Sequence, residues 1–472
     1  MLTRQGYLIR KDSLTKSESD NIRKNLVVQP ITEGNYTSGE SFKVYRESEM
    51  RFRLPKFWAL DVFGTEFIDR TVNGVPIDVE FHGKLNEKTC QPVAVQKTLE
   101  SLHSSGGGIL CLPPGYGKTT VSLFLISQLK VKTLVIVHKE FLMSQWKERI
   151  SQFLPSATVG CIQQNKVDIL GKSIVMGMLQ SLSSKEYHPS TFETFGLVII
   201  DETHHICSRT FSKALFNVCP KYILGLTATP NRKDGLTKVL HWFLGPITFK
   251  IERKHQDTVR VVAYHYKDPY FTHDNIPYNI SNKVNGPVVV NRLCDLRDRN
   301  LMIVSIVHQL LSLQRKIIIL SERRHHCEEL LSKARTLETP FIYGLYMGGM
   351  AQHELEESEK ADAIFATYSM AQEGLDIPTL DTLILATPKT DIVQASGRIM
   401  RETEGKKNYS LIIDICDSWA PLVGKYPKRK VFYKKSGFKS SSQSCTPISL
   451  DDSQFTRLSD SAKKKMYSFL DD

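Results

Sequence analysis

Two short segments of this 472-residue sequence carry the residue types best suited to chemistry. The first is Pro113-Pro114-Gly115-Tyr116-Gly117-Lys118-Thr119-Thr120, set between an apolar run, Ile109–Leu112, and a helical pattern, Thr119–Leu129. Glycines at such a place let backbone N–H groups turn inward around a phosphate, and the helix start adds positive potential. Lys118 would reach the β- and γ-phosphates of a nucleotide, and the Thr119 hydroxyl would ligate Mg²⁺. Leu112 stands where the strict phosphate-loop pattern has its first glycine. The bland alternative is a glycine-rich turn with an unrelated lysine, and the strand–loop–helix context argues against it. The second segment is Leu197-Val198-Ile199-Ile200-Asp201-Glu202-Thr203-His204, an apolar strand ending in adjacent carboxylates. Ligands of open α/β sheets gather at the carboxyl ends of strands. Asp201 is therefore placed to hold Mg²⁺, directly or through water, and Glu202 to orient or deprotonate an attacking water. Alone, an Asp-Glu pair could simply begin a helix. About 80 residues after a phosphate loop, it reads as that loop's partner.

Positioning such residues takes buried strands joined by helices. Unbroken apolar runs recur at Ile109–Leu112, Thr133–Val137, Ile174–Met178, Leu197–Ile200 and Ile223–Leu226, and again at Lys316–Leu320, Phe341–Leu345, Ala363–Thr367, Thr382–Ala386 and Leu411–Ile415. Runs of this kind suit parallel strands covered on both faces. Helical patterns lie between them, at Thr119–Leu129, Phe141–Phe153, Asn300–Leu313 and His325–Lys333. The alternation predicts an α/β fold with two doubly wound parallel sheets. The expected layout is an N-terminal accessory domain over 1–82, lobes over 83–250 and 290–439, and a linker over 251–289 containing Pro269, Pro277 and Pro287. A flexible tail over 440–472 would follow, with a short helix at Ala462–Leu470.

Lys plus Arg is 62 against 50 for Asp plus Glu, so the net charge of +12 favours a polyanionic partner, nucleic acid or anionic membrane. No apolar run approaches the ~18 residues of a membrane span, and Met1–Lys11 lacks the apolar core of a secretory signal. The nine cysteines are scattered without a Cys-x-x-Cys pair, which suggests a reducing intracellular compartment and no structural zinc. His325, His326 and Cys327 are adjacent, and neighbours on a helix cannot all face one ion. The stretch Lys425–Lys439 holds seven basic residues and no acid, interleaved with Tyr426, Phe432, Tyr433 and Phe438. It reads equally as a phosphate strip with stacking rings or as a solvated helix whose aromatics pack inward. Arg51–Trp58, with a similar mix, reads as structural docking. Trp146 and Trp242 read as core.

From about residue 85 to 435 the sequence resembles the superfamily 2 helicases and translocases of DExH type. Gln96 sits where the family places an adenine-reading Gln. Thr133–Trp146 resembles motif Ia, Met178–Leu182 the next strand-contacting motif, and Asp201–His204 motif II. Thr227-Ala228-Thr229 resembles motif III, Ile318–Arg324 motif IV, Ala366–Pro378 motif V, and Gln394–Arg401 motif VI in the form Q-x-x-G-R-x-x-R. Within the superfamily, Asp201–Ile206 with Gly225–Pro230 looks like the XPB-like duplex translocases. Their Arg-Glu-Asp element is here Arg232-Lys233-Asp234, a base in place of the central acid. The whole chain, including Arg53–Trp58 and Lys428–Lys439, is more similar to the helicases of large nucleocytoplasmic DNA viruses, relatives of the poxvirus transcript-release helicase.

The resemblance implies two RecA-like domains, ATP and Mg²⁺ as cofactors, and ATP hydrolysis coupled to movement along nucleic acid, DNA before RNA. Lys118, Glu202, Gln394, Arg398 and Arg401 would be catalytic, the two arginines acting on the γ-phosphate when the lobes close. Pro114 to Thr120, Gln96, Asp201, Gly374 and Asp376 would bind the nucleotide. His204 and Thr227–Thr229 would relay its state. Lys139, Gln180, Ser181, Arg323 and Thr367 would touch the strand, without sequence preference. Transcription machinery is an expected partner, a membrane is not, and a monomer is expected. A viral chain would work in the host cytoplasm, virus factory, nucleus or virion. A non-hydrolysing clamp competes with this reading, as does a P-loop kinase or transporter ATPase. The former leaves the Lys118, Glu202 and Arg398 set without a task, and the latter predicts no motif VI.

Overall fold

The computed structural model describes residues 1–31, 40–64, 66–210, 212–230, 234–251, 259–337, 339–373, 375, 377–400 and 408–445. It separates into two compact units, Met1–Glu252 and Arg253–Asp472. The first is built on an eight-stranded sheet. In spatial order its strands are Lys166–Asp168, Val159–Gln163, Ile174–Met178, Thr133–Val137, Leu197–Ile200, Tyr222–Thr227, Gly107–Cys111 and Ile247–Lys250. All neighbours are parallel except the edge pair Val159–Gln163 and Lys166–Asp168. The five expected strands are present, three of them with the expected bounds. They are apolar throughout because the sheet is sandwiched between two layers of buried side chains, one around Leu134, Val198 and Leu240 and the other around Val135, Ile199 and Leu226.

The structure adds to the expected layout in three places. Residues 1–82, expected as an accessory domain, group with the first compact unit and carry a small core of their own around Tyr7, Phe52 and Trp58. Their small sheet, Arg46–Glu47, Arg51–Leu54, Gly6–Arg10, Leu2–Thr3 and Asp69–Arg70, is antiparallel except for its last pair. Helix Lys56–Phe63 packs on helix Thr237–Leu244, and Val44 and Phe57 join the first lobe's own core. The Arg51–Trp58 segment thus docks structurally.

The other two places are in the second sheet. Its strands run in the order Tyr343–Tyr346, Ala363–Thr367, Ile317–Ser321, Thr382–Leu385, Leu411–Asp417, Arg260–Tyr266 and Lys439–Cys445, all parallel. Arg260–Tyr266, expected in the linker, is an interior strand. Its Val261-Val262-Ala263-Tyr264 core is buried; Pro269 and Pro277 lie in the connection after it, and Pro287 lies in the first turn of helix Gly286–Cys294. Lys439–Cys445, expected in the tail, is an edge strand. Its serines and glutamine conceal it from a hydrophobicity reading, which edge strands commonly defeat by being polar. Two apolar layers again cover the faces, one around Leu320, Ile364 and Leu383 and one around Ile319, Phe365 and Ile413. Among the described residues, no helix is long and apolar enough to cross a membrane.

Candidate functional site

Three loops of the first unit leave the carboxyl edge of adjacent strands: Leu197–Ile200, Tyr222–Thr227 and Gly107–Cys111. The phosphate loop follows the last. Gly115 and Gly117 have φ of 84° and 80°, left-handed values that favour glycine, and Gly117 caps helix Lys118–Leu129. The Lys118 Nζ donates to the Leu112 carbonyl at 3.3 Å, so the lysine lies across its own loop. Pro114, Tyr116, Thr119 and Thr120 are partly exposed along it, and Gly115 is exposed. The Leu112 N–H donates to the Thr227 carbonyl at 3.2 Å, tying the loop to motif III.

Gln96, expected to read the adenine, makes no hydrogen bond to this loop among the described residues. It lies on the exposed side of helix Gln91–Ser105 and donates to Glu100 at 3.0 Å. Five residues are about 500° of helical rotation, so Gln96 and the first residue of the helix point different ways. That first residue, Gln91, is the one at the loop. It is buried, accepts the Asn86 N–H at 2.9 Å and donates to the Tyr116 carbonyl at 3.1 Å. A Cβ at Gly117 would lie 2.4 Å from the Gln91 Nε2, so the amide and the bare glycine are matched. The available signal was its place, directly before Pro92 at the start of the helix.

At the end of strand Leu197–Ile200, Asp201 is held from two sides. The Trp146 Nε1–H donates to Oδ2 and the Glu202 N–H to Oδ1, both at 2.9 Å. Trp146 is core, as its sequence suggested, yet its polar edge serves the carboxylate. Burial and the charge of Glu202 raise the proton affinity of Asp201, while the Trp146 bond and Lys118 oppose that rise. Glu202 has φ 47°, a left-handed backbone that costs a non-glycine residue of order 1–3 kcal/mol. Asp201 forms no ion pair with a lysine or arginine among the described residues, so a divalent cation fits its chemistry. Asp201 and the Thr119 hydroxyl would hold Mg²⁺, which when bound neutralises phosphate charge. Thr227 is buried between the two loops, and its hydroxyl accepts the Thr229 N–H at 3.1 Å across Ala228. The His204 side chain lies outside the described residues, as do Arg232 and Lys233.

In the first unit's strand-contact set, Lys139 precedes helix Glu140–Phe153, with its Nζ 5.9 Å from the Phe141 ring. Gln180 donates to the His138 carbonyl at 2.5 Å, linking two motifs. Ser181 is buried and accepts the Gln164 N–H at 2.9 Å. It braces a turn and is not presented to a strand.

In the second unit, Gln394 and Arg398 are four apart on helix Val393–Ile399, hence on one face. The Arg398 Nε donates to the Ala371 carbonyl at 2.9 Å. Arg401, Gly374 and Asp376 lie outside the described residues. Thr367 is nearly buried at the end of its strand, 3.3 Å from the Ser369 hydroxyl. Arg323 is committed internally, donating to Asn291 at 2.6 Å and to the Pro287 carbonyl at 3.2 Å. Its neighbour Arg324 is exposed. His326, instead of facing an ion, sits between Ser321 and Asn300, each at 2.9 Å.

Two family models match the chain: the res subunit of type III restriction enzymes over residues 84–232, and the helicase conserved C-terminal domain over 302–403. A protein of Acanthamoeba polyphaga mimivirus, provisionally named an ATP-dependent RNA helicase, is 33% identical over 88% of this chain and 81% of its own length. One from African swine fever virus with the same kind of name is 29% identical over 73% of this chain and 72% of its own. Among solved structures, yeast Dbp5 bound to RNA and ADP BeF3 aligns with a TM-score of 0.53 at 12% identity, over 80% of this chain and 93% of that one. The type ISP restriction-modification enzyme LlaBIII bound to DNA gives 0.53 at 15%, over 79% of this chain and 32% of that one. These last two show the fold alone.

Proposed function

The chain belongs to the superfamily 2 helicases, alongside those of large DNA viruses, and from that premise we propose that it is an ATP-driven motor acting on nucleic acid. One observation carries the reading: phosphate loop, carboxylate pair and motif III leave three adjacent strands at one sheet edge. In this reading Lys118 binds the nucleotide's terminal phosphates and Gln91 fixes the loop that surrounds them. Asp201 holds the metal, and Glu202 positions the attacking water and takes its proton. Arg398 and Arg401 meet the charge that develops on the transferred phosphoryl group. The finer reading is DNA as the track and transcript release as the task. It is supported by the resemblance of the ordered motifs to the poxvirus transcript-release helicase.

The test is steady-state ATP hydrolysis with single-stranded DNA, duplex DNA and RNA side by side. Lys118→Ala abolishes turnover. Glu202→Gln keeps ATP binding and lowers turnover by about 10²–10⁴. Hydrolysis that no polynucleotide stimulates overturns the motor reading, and stimulation by RNA alone overturns the choice of DNA.

A further inference from the structure

Helix Lys425–Lys435 has two unlike faces. The inner one is fixed to the second sheet. Arg429 is buried and pairs with Asp414 through Nε at 2.9 Å and Nη2 at 2.8 Å. The Tyr433 hydroxyl donates to the same carboxylate at 2.8 Å. Tyr433 and Phe438 are in the core, Tyr426 and Phe432 pack against it, and Tyr426 meets the His265 ring edge-on. The rings are therefore anchors and are not free to stack on bases.

The outer face is different. Lys428, Lys430, Lys434 and Lys435 are exposed, with only Val431 among them. None of the four forms an ion pair or side-chain hydrogen bond among the described residues. No acid lies within the helix to balance them, and Lys430 and Lys434, one turn apart, repel each other. Rigid anchoring by Arg429 keeps these charges in one array. The chain's own C-terminal segment is a poor counterion, since residues 446–472 contain five aspartates against four basic residues.

The array also has an address. The Arg429 Nη1 donates to the Lys389 carbonyl at 3.0 Å, and the Lys389 Nζ lies over the Tyr368 ring at 4.9 Å. The Tyr368 hydroxyl donates to the Thr387 carbonyl at 2.8 Å, and the Thr387 hydroxyl accepts the Glu322 N–H at 2.9 Å. Tyr368 directly follows Thr367 of motif V, and Glu322 lies in motif IV. The lysine face is thus tied through the second unit to both strand-contacting motifs.

We propose that the outer face of helix Lys425–Lys435 is an additional binding surface for a polynucleotide backbone, outside the helicase motifs. It rests on the motor reading only for the identity of the polyanion. Lys428 to Lys435 spans about 10 Å of helix axis, along which one strand presents about three phosphates. The contacts are charge to phosphate, so they carry no sequence preference.

The experiment compares the full chain with a variant carrying Lys428→Gln, Lys430→Gln, Lys434→Gln and Lys435→Gln, and with a second carrying Arg at the same four positions. Binding to a 30-nucleotide single strand, its duplex and the matching RNA is measured from 0.05 to 0.3 M salt, beside ATPase activity. The Gln variant loses about 100-fold in affinity at 0.1 M salt, and its log–log salt slope becomes shallower by about 2–3. Its nucleic-acid-free ATPase is unchanged, and the Arg variant binds as the parent does. An unchanged slope beside intact polynucleotide-stimulated ATPase overturns the inference and leaves the motor reading standing. Loss of binding to anionic phospholipid vesicles with nucleic-acid binding intact overturns it in favour of a membrane. A parent whose ATPase no polynucleotide stimulates counts against the motor reading, while the salt slope still decides this surface.

Discussion

Trp146→Phe isolates one hydrogen bond that the active carboxylate depends on. The indole N–H is 2.9 Å from the Asp201 Oδ2, and the other oxygen keeps its bond from the Glu202 N–H. A phenyl ring preserves most of the packing and removes the donor. A hydrogen bond to a charged group contributes about 1.5–3 kcal/mol, a factor of about 10–150 in an equilibrium constant. Asp201 is the proposed metal carboxylate, and loss of a partner that orients a metal ligand costs about 10–100-fold in metal affinity. The expected result is a rise of that size in the Mg²⁺ concentration giving half-maximal ATPase. Turnover at saturating Mg²⁺ should return to within about threefold of the parent, because the donor does not touch the reacting atoms. The assay is steady-state hydrolysis at saturating polynucleotide, with Mg²⁺ titrated at fixed ATP. Ile150→Val is the control: it lies fully buried in the same core layer, loses about 0.5–1.5 kcal/mol of packing, and leaves Asp201 alone. A Trp146→Phe titration within about twofold of the parent, or an Ile150→Val shift of equal size, refutes the reasoning.

Gln91→Ala removes both bonds of the amide that joins Asn86 to the phosphate loop, about 1 kcal/mol each, so the KM for ATP rises about 10-fold or more while Gln96→Ala stays near the parent. Steady-state kinetics on the pair decides between the two positions. His326 is buried, and burial together with Arg299 holds its proton affinity well below the ordinary 6.5. Asn300 donates its amide to the Cys294 carbonyl and so offers its oxygen to the imidazole, while Ser321 accepts the Arg323 N–H and so donates its hydroxyl to the other ring nitrogen. The neutral ring is the one that fits. A depressed histidine contributes stability present above pH 6.5 and lost below it, by up to about 1.4 kcal/mol per pH unit. Denaturant melts of the second unit's transition at pH 7.5, 6.5 and 5.5 check this, with His326→Gln flattening the slope. Arg429→Met leaves Asp414 charged and buried at a cost of about 3–5 kcal/mol, read as a lower denaturation midpoint, and adding Asp414→Leu recovers much of that loss.

What the sequence revealed followed the physics of burial. Strands covered on both faces must be apolar throughout, and Thr133–Val137, Ile174–Met178, Leu197–Ile200 and Ala363–Thr367 are visible to the residue. Strands at an edge escape that demand, so Lys166–Asp168 and Lys439–Cys445 look like loop. Arg260–Tyr266 was legible in its own apolar core, but the following prolines drew it into a connection. The site residues divide in a similar way. Lys118, Asp201 and Glu202 stand out because their chemistry fixes both type and spacing. Gln91 and Gln96 share a type and differ only in which side of a helix they occupy, which depends on where the helix begins. The left-handed Cys90, with φ 54°, sets that beginning, and a left-handed cysteine leaves no trace in composition.

The two sheets also differ in what surrounds the carboxylates at their strand ends. Each sheet has a carboxylate at a strand's carboxyl end, half-buried Asp201 in the first and buried Asp417 in the second, but the two have different neighbours. Asp417, at the carboxyl end of its strand, is gripped by the buried Arg299 at 2.7 and 3.0 Å, and Asp414 by Arg429. A carboxylate already paired with a guanidinium has little charge left for a divalent cation. Among the described residues Asp201 has only neutral donors, a tryptophan and a peptide N–H, which orient it without neutralising it. The loop after Leu411–Asp417 brings one glycine, Gly424, before the helix-starting Lys425, without the two left-handed glycines of the phosphate loop, and the turn after Ile317–Ser321 is Glu322-Arg323-Arg324. The first unit, which carries the phosphate loop, therefore keeps a carboxylate without an ion-pair partner among the described residues. The second pairs Arg299 and Arg429 with internal carboxylates, and the exposed lysines of helix Lys425–Lys435 present a charge complementary to a phosphate backbone.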